Sequence, residues 1–276
     1  MNNSDKGSPS NELIYSLLEH YQNGRLNDAE KLAVEITRDF PKHEFAWKVL
    51  GVIFEATGRK SEALNANKTA VKLSPHDAEA HNNLGNTLKE LGRLDEAEAS
   101  YNQALVLKPD YAEAHCNLGI ILHQSGKLDK AEASYRQAIA LKPEFPEAYS
   151  NLGITLQEAG KLKEADASYK KAIVLSPGYA EAHNNLGTTL QELGRLEEAK
   201  ARWTQALLLK PNFYDGVRNL VKLPVGQLKP DAINLCENAL NSVDDSLKNQ
   251  INYLFARGNL FKHKGLIEES LRVICK

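Results

Sequence analysis

Asparagine is the residue type whose spacing in this chain best fits a ligand-binding role. One asparagine recurs every 34 residues, and the series is Asn83, Asn117, Asn151, Asn185 and Asn219. Three further asparagines stand close to members of this series, namely Asn82, Asn86 and Asn184. A carboxamide offers one acceptor oxygen and a nitrogen with two donors, so it can pair with both polar groups of a peptide bond. The series therefore has the chemistry to hold an extended backbone without reading its side chains.

Histidine and cysteine do not form a comparable pattern for catalysis or metal binding. His81, His115 and His183 are spaced by one and then two 34-residue periods, which reflects a repeat and not a coordination geometry. Cys116 and His123 are seven residues apart and lack a third ligand at the spacing typical of zinc sites. The sequence also lacks a GxxxxGK[ST] loop and a GxGxxG motif after a strand. We predict no catalytic, cofactor-binding or metal site in this chain.

The overall composition excludes several classes of protein. The 276 residues include 34 Lys and Arg and 36 Asp and Glu, and this near-neutral balance argues against binding nucleic acid by bulk electrostatics. No apolar stretch approaches the roughly 18 residues of a transmembrane helix, and the polar start MNNSDKGSPS is not a secretory signal. Cys116, Cys236 and Cys275 are odd in number and far apart, which fits a reducing compartment. We predict a cytoplasmic protein that binds neither membrane nor nucleic acid.

Proline and glycine show how the chain is organised. The prolines at 34-residue intervals are Pro41, Pro75, Pro109, Pro143, Pro177 and Pro211. One glycine series with the same period is Gly24, Gly58, Gly92, Gly126, Gly160 and Gly194. A second, seven residues earlier in each unit, is Gly51, Gly85, Gly119, Gly153 and Gly187. A period held this strictly indicates an array of repeats.

Each repeat is predicted to form two helices, as residues 78–111 illustrate. Leucines recur at helical spacing up to Gly92, a residue type that commonly ends helices in a left-handed conformation. A second helical pattern then runs to Pro109, which disfavours helix at the residue before it. Because neither helix buries much apolar surface alone, neighbouring pairs must stack to form a core.

Gly85 lies inside the first of these helices, where glycine costs about 1 kcal/mol relative to alanine. We expect a close approach of the partner helix to offset that cost. Ala97 would supply the matching small side chain, and Tyr101 would fill the wider gap beside it.

These features resemble the tetratricopeptide repeat (TPR) family, whose pattern is W/Y–L–G–Y/L–A–F/Y–A–P. In residues 112–145 the matching positions are His115, Leu118, Gly119, Leu122, Ala131, Tyr135, Ala138 and Pro143. The resemblance implies an all-α fold, a right-handed superhelical solenoid of antiparallel helix pairs. It also implies that the histidines fill the bulky packing position of the first helix.

The repeat pattern predicts the domain organisation. Residues 1–9 are expected to be disordered, and six repeats follow at 10–43, 44–77, 78–111, 112–145, 146–179 and 180–213. Residues 214–245 are a degenerate repeat, in which Ala232, Cys236 and Ala239 keep the second-helix spacing after an interruption at 223–226. Residues 246–276 are a partial C-terminal repeat.

The same resemblance gives the asparagine series a place in the fold. In this family the first helices line the concave face, and the sixth position of the repeat points into it. The series is similar to the asparagine ladder in the TPR region of O-GlcNAc transferase, which implies contact with a polypeptide. The alternative is a polar helix face copied by repeat duplication. Some proteins of this family bind a C-terminal carboxylate through a clamp of lysines, and those lysines are missing here. Glutamate recurs instead at Glu79, Glu113, Glu147 and Glu181, which favours a neutral or basic ligand.

We predict a non-catalytic interaction scaffold that binds an extended polypeptide in its concave groove through the eight asparagines. The alternative is the substrate-targeting TPR region of a longer glycosyltransferase or sulfotransferase. The stretch 253–270 is similar to the last repeat of TPR proteins fused to a sulfotransferase domain. Leu271 and Ile274 would lie on a half-finished helix, so we also expect a chain cut from a longer protein and self-association through its C-terminal partial repeat.

Overall fold

The structure, a computed structural model, describes residues 8–241, 251–266, 269–270 and 273. Within these residues the chain forms fifteen α-helices and no β-strand. The prediction of an all-α protein is therefore confirmed. The helices fall into two compact units, Met1–Pro143 and Glu144–Lys276.

The first unit contains four helix pairs. Its helices are α1 (Asn11–Gln22), α2 (Leu26–Asp39), α3 (Glu44–Ala56), α4 (Lys60–Leu73), α5 (Ala78–Glu90), α6 (Leu94–Leu107), α7 (Ala112–Gln124) and α8 (Leu128–Leu141). Each odd-numbered helix packs against the helix that follows it, and within this unit α2 also contacts α3, α4 contacts α5, and α6 contacts α7. The odd-numbered helices are the first helices of the predicted repeats.

The second unit continues with the same kind of pairs and ends less regularly. Its helices are α9 (Pro146–Glu158), α10 (Leu162–Leu175), α11 (Ala180–Glu192), α12 (Leu196–Leu209), α13 (Tyr214–Val221), α14 (Pro230–Asn241) and α15 (Ile251–His263). Helix α13, which is the first helix of its pair, has eight residues, whereas α9 and α11 have thirteen each. It stops just before the interruption that the sequence shows at residues 223–226.

The turn between the two helices of a pair depends on one glycine. Gly92 has a φ of +73°, a conformation that side chains with a Cβ rarely adopt. Its N–H donates to the carbonyl of Lys89 at 2.9 Å, and the N–H of Arg93 donates to Leu88, also at 2.9 Å. These bonds satisfy carbonyl groups at the end of α5 and reverse the chain into α6.

In α5, α7, α9 and α11 the glycine inside the first helix lies against an aromatic ring. A Cβ built on Gly85 would stand 2.6 Å from a ring carbon of Tyr101, which is fully buried. Tyr101, which was expected to fill the gap beside Ala97, therefore supplies the atoms nearest to Gly85, and Ala97 is also fully buried. The same arrangement pairs Gly119 with Tyr135, Gly153 with Tyr169, and Gly187 with Trp203.

The two ends of the array differ from its centre. Leu17 occupies the glycine position of the first pair and is fully buried. On α14, Ala232, Cys236 and Ala239 are buried, as their spacing predicts. Leu271 and Ile274, on which the prediction of self-association depends, lie outside the described residues, as do residues 1–7 of the predicted N-terminal tail.

Candidate functional site

A polar pocket lies between the first helices α3, α5 and α7 in the first unit. Its volume is ≈ 480 Å³. It is lined by Val52, Glu55, Ala56, Lys60, Asn86, Thr87, Lys89, Glu90 and Asn117. Two of the predicted peptide-binding residues, Asn86 and Asn117, therefore face one cavity from neighbouring helices.

The second unit has a pocket built from equivalent repeat positions on α9 and α11. Its volume is ≈ 400 Å³. It is lined by Ile154, Gln157, Glu158, Tyr169, Asn185, Thr188 and Glu192. Asn185 stands at the same repeat position as Asn117, and Gln157 at the same position as Glu55. The sixth and twelfth residues of the repeat thus contribute polar side chains to both pockets.

Two asparagines of the predicted series are held in place by a buried asparagine of the preceding repeat. Asn117 Nδ2 donates to Asn82 Oδ1 at 3.1 Å, and Asn219 Nδ2 donates to Asn184 Oδ1 at 2.9 Å. Asn82 is 5% exposed and Asn184 is 7% exposed. These two residues were predicted to assist peptide binding, and the structure places them beneath the surface, where they contact the partly exposed asparagines.

The other predicted residues are partly exposed on the first helices. Asn83 lies on α5, Asn151 on α9, and Asn185 on α11, where its Oδ1 accepts from Asn184 Nδ2 at 3.3 Å. Asn86 accepts a hydrogen bond at its Oδ1 from the hydroxyl of Tyr101, at 2.8 Å.

A polar network that was not predicted from the sequence lies beside the first pocket. Thr87 donates from its hydroxyl to Glu55 Oε1, and Asn67 Nδ2 donates to Thr87 Oγ1 at 2.8 Å. Burial raises the pKa of Glu55, and the hydrogen bond from Thr87 offsets this only in part. One feature of the sequence indicates this network, because Asn67 stands where the next three repeats have tyrosine.

Asn67 itself is fully buried, and its Oδ1 accepts no hydrogen bond. This oxygen lies against Gly51, at whose position a Cβ would be only 2.0 Å away. An unpaired buried acceptor costs free energy. The second repeat therefore replaces the usual apolar contact between ring and glycine with a less stable polar one.

The recurring glutamates at the second position of the repeat are engaged in ion pairs. Glu113 pairs with Lys142 and Glu181 with Lys210, both at 2.8 Å, and these bonds lower the pKa of both carboxyl groups. Glu79 pairs with Lys48 at 2.7 Å. Because Lys48 also pairs with Asp77 at 2.8 Å, only Glu113 and Glu181 have a lysine of their own, which weakens the basis for the expected preference for a basic ligand.

The periodic histidines have a structural role. His81, His115 and His183 each place Nε2 within 2.9–3.2 Å of the carbonyl oxygen of the proline six residues earlier. Trp47 donates from Nε1 to Pro41 in the same way, at 2.9 Å. In these four repeats the ring at this position therefore connects the start of the first helix to the end of the preceding repeat. Among the described residues, no three His, Cys, Asp or Glu side chains are placed to hold a metal ion.

Comparison with protein families agrees with this architecture. A family model described as "TPR repeat" matches residues 51–92, 85–126, 120–160 and 156–194. A second, described as "Tetratricopeptide repeat", matches residues 180–213. Together the matches span more than half of the chain. The chain belongs to the tetratricopeptide repeat family. Proteins of this family bind protein or peptide partners, so this TPR chain has a role in protein–protein interaction.

Solved structures of other TPR proteins share the fold. PilW, described as a widely conserved type IV pilus biogenesis factor, is 25% identical with a TM-score of 0.69 over 76% of this chain and 97% of PilW. MamA is 27% identical with a TM-score of 0.53, over 58% of this chain and 94% of MamA. YrrB, described as a TPR protein with an unusual peptide-binding site, is 20% identical with a TM-score of 0.55, over 69% of this chain and 98% of YrrB.

These relatives confirm the predicted fold class, in which TPR helix pairs follow one another along the chain. No curated protein is similar enough to this TPR chain to count as a match. Within the helices that the structure describes, none is both long and apolar enough to cross a membrane.

Proposed function

We propose that this TPR protein is a non-catalytic scaffold that holds an extended polypeptide in a concave groove formed by its first helices. The peptide backbone would be bound by Asn83, Asn117, Asn151, Asn185 and Asn219. The observation that carries this proposal is the recurrence of a polar pocket, with an asparagine of the series in its wall, at equivalent repeat positions of both units.

The anchoring of the asparagines supports the proposal. A side chain that is already fixed loses less rotational freedom on binding, so its hydrogen bonds contribute more to affinity. Asn117 and Asn219 are fixed in this way by Asn82 and Asn184. Because an amide pairs with the peptide backbone, the scaffold would accept partners of different sequence.

A peptide-binding measurement tests the proposal. Binders are selected from a display library of unstructured peptides, and their affinities are measured for the natural chain and for variants. Replacing Asn117, Asn151 and Asn185 together by alanine removes about 1 kcal/mol per hydrogen bond, which weakens binding by about 3 kcal/mol, or roughly a hundredfold. Different peptides should lose affinity by a similar factor.

A matched control separates peptide binding from a general loss of surface amides. Asn65, Asn102 and Gln137 lie exposed on second helices, and their triple replacement by alanine should leave the affinity unchanged. Since Asn117 also contacts Asn82, its loss can lower stability, and thermal melting must be recorded alongside. Replacing only Asn83 and Asn151 should still weaken binding by about 2 kcal/mol, roughly thirtyfold. If the natural chain and all variants bind the peptides with equal affinity, the asparagine series is only a polar surface copied by repeat duplication.

The predicted cytoplasmic location belongs to the same proposal and rests on the three widely spaced cysteines. The alternative of a targeting region in a longer transferase, and self-association through the C-terminal partial repeat, stay predictions.

A further inference from the structure

A basic residue precedes each second helix, and in several repeats it forms an ion pair with the preceding second helix. This residue stands at position 16 of the repeat, and the series is Arg25, Arg59, Arg93, Lys127, Lys161, Arg195 and Lys229. Its acidic partner stands at position 21 of the preceding repeat, which is the fifth residue of that second helix. Examples are Arg59 with Glu30 at 2.9 Å, Lys127 with Glu98 at 2.8 Å, and Arg195 with Asp166 at 3.6 Å. Such pairs close the junction between consecutive second helices.

The junction between α12 and α14 has a lysine in both places. Lys200 stands at position 21 of its repeat, where Asp166 stands one repeat earlier, and Lys229 precedes α14. Because like charges repel, these two lysines cannot form the ion pair of the earlier junctions. Both of them line a cavity of ≈ 400 Å³ between α12 and the start of α14, which we call the junction pocket. A pocket therefore stands where earlier repeats have an ion pair.

Both lysines of the junction pocket are accessible to an anion. Lys229 is exposed and forms no ion pair within the part of the chain that the structure describes. Lys200 is only 17% exposed, and its partner at 2.6 Å is Glu197, whose side chain is 84% exposed. A pair with so exposed a carboxylate contributes little, because water and salt screen it. Asp231, the other acid in the lining, lies in the first turn of α14, where the helix N-terminus favours its charge. Neither acid prevents the lysines from binding a further carboxylate.

Apolar side chains form the base of the junction pocket. Leu220 is fully buried, and Leu228 and Ala232 are each 8% exposed. The wall on α12 extends from Glu197 to Leu208, about three helical turns, and Leu208 is 56% exposed. A wall this long and open suits a segment of polypeptide better than a small ligand, which is usually enclosed. An apolar base beside two cations fits a segment that carries an apolar and an acidic side chain.

We propose that the junction pocket is a second interaction surface, which binds a segment of a partner protein with a carboxylate next to a leucine-sized apolar side chain. The carboxylate takes the place of the missing acid of position 21 and pairs with Lys200 and Lys229. The apolar side chain packs on Leu220, Leu228 and Ala232. This inference goes beyond the proposed function, because the asparagine pockets lie between first helices and the junction pocket lies mainly on second helices. The two surfaces bind their partners independently.

Short capped dipeptides test the junction pocket directly. A dipeptide of leucine and glutamate, acetylated and amidated at its ends, supplies both groups. In the ¹⁵N-labelled full chain it should shift the backbone signals of Thr204, Gln227 and Leu228 saturably. A dipeptide with glutamine in place of glutamate lacks the charge, and one with alanine in place of leucine lacks most of the apolar group. Each of these should bind about fivefold more weakly.

Variants with precedents in the chain identify the two lysines. Lys200→Glu restores an acid at position 21, which should pair with Lys229 and weaken the leucine–glutamate dipeptide at least tenfold. Lys229→Gln changes an exposed side chain, so it should leave the fold intact. It should weaken this dipeptide about fivefold and leave the glutamine dipeptide unaffected. Lys171→Gln is the matched control, since Lys171 is exposed on α10 at the repeat position of Gln205, and all affinities should stay unchanged.

The outcomes separate this surface from the proposed groove and from other occupants. The variant with Asn117, Asn151 and Asn185 replaced by alanine should bind the dipeptide as the natural chain does, so a failure of groove binding leaves the junction pocket in place. Equal affinities for the glutamate and glutamine dipeptides, or no effect of Lys229→Gln, would overturn the proposal. Equal affinities for the leucine and alanine dipeptides would reduce the pocket to an anion site. If sedimentation velocity shows self-association that Lys200→Glu abolishes, the occupant is a second copy of this chain and the proposed partner is wrong.

Discussion

Thr189 donates a hydrogen bond from its hydroxyl to Gln157 Oε1 across 3.0 Å, from one first helix to the preceding one. Thr87 makes the equivalent bond to Glu55 in the first unit. The two acceptors differ in one respect, because a glutamine is neutral at every pH and a glutamate loses a proton. Burial raises the pKa of Glu55, so the folded state holds its proton more tightly than the unfolded chain does.

Replacing Glu55 by glutamine is therefore expected to stabilise the protein at neutral pH. The raised pKa means that stability is lost as the pH rises from about 4.5, the ordinary value, through the folded-state pKa. Glu55→Gln keeps an acceptor for Thr87 and removes this loss. Urea unfolding at pH 7.5 should show a higher free energy for the variant, and the difference should shrink as the pH is lowered to 4. A variant less stable than the natural chain at pH 7.5 would contradict the conclusion that the buried Glu55 carboxylate lowers stability.

His183 should make the opposite contribution to pH dependence. Burial lowers its pKa below 6.5, and the nearby Arg202 acts in the same direction, whereas the bond to Pro177 offsets this in part. The unfolded chain therefore binds the proton more readily, so stability is lost as the pH falls below 6.5. His183→Tyr introduces the residue that Tyr149 provides at this position. We expect a smaller fall in melting temperature between pH 7.5 and 5 in the variant, and an unchanged fall would rule out His183 as the cause.

The contact between Gly153 and Tyr169 should be intolerant of even one added methyl group. A Cβ on Gly153 would stand 2.7 Å from the ring, and relief of such overpacking typically costs about 1–3 kcal/mol. Gly153→Ala should lower the free energy of unfolding by about this amount. Gly178→Ala is the control, because a Cβ there meets nothing within 4 Å and Gly178 has no positive φ, so its effect should be close to zero.

A double-mutant cycle with Tyr169→Leu identifies the partner. The smaller side chain makes room for the new methyl group, so Gly153→Ala should cost less in the Tyr169→Leu background. The coupling between touching residues is expected to be about 0.5–3 kcal/mol. Strictly additive effects in urea unfolding would show that the ring does not restrict Gly153.

The sequence by itself determined the repeat, the two helices of each unit and most of the core. These features follow from local chemistry, because glycine permits the positive φ at Gly92 and proline disfavours helix before Pro109. The periodic histidines were also interpreted correctly as structural residues, since each of them, like Trp47, contacts a proline carbonyl of the preceding repeat. The asparagine series could also be recognised from the sequence, because its members recur every 34 residues.

Only the tertiary structure decided how those asparagines are used. The sequence grouped Asn82 and Asn184 with the exposed amides, yet both are buried, because the sides of a helix are covered by neighbours from other repeats. The anchoring of Asn86 and Asn117 depends on Tyr101 and Asn82, and the hydrogen bonds that provide it span 15 and 35 residues. The raised pKa of Glu55 likewise depends on burial between helices. Periodicity places a side chain on a helix face, but its orientation and its charge are set by contacts between residues that are distant in sequence.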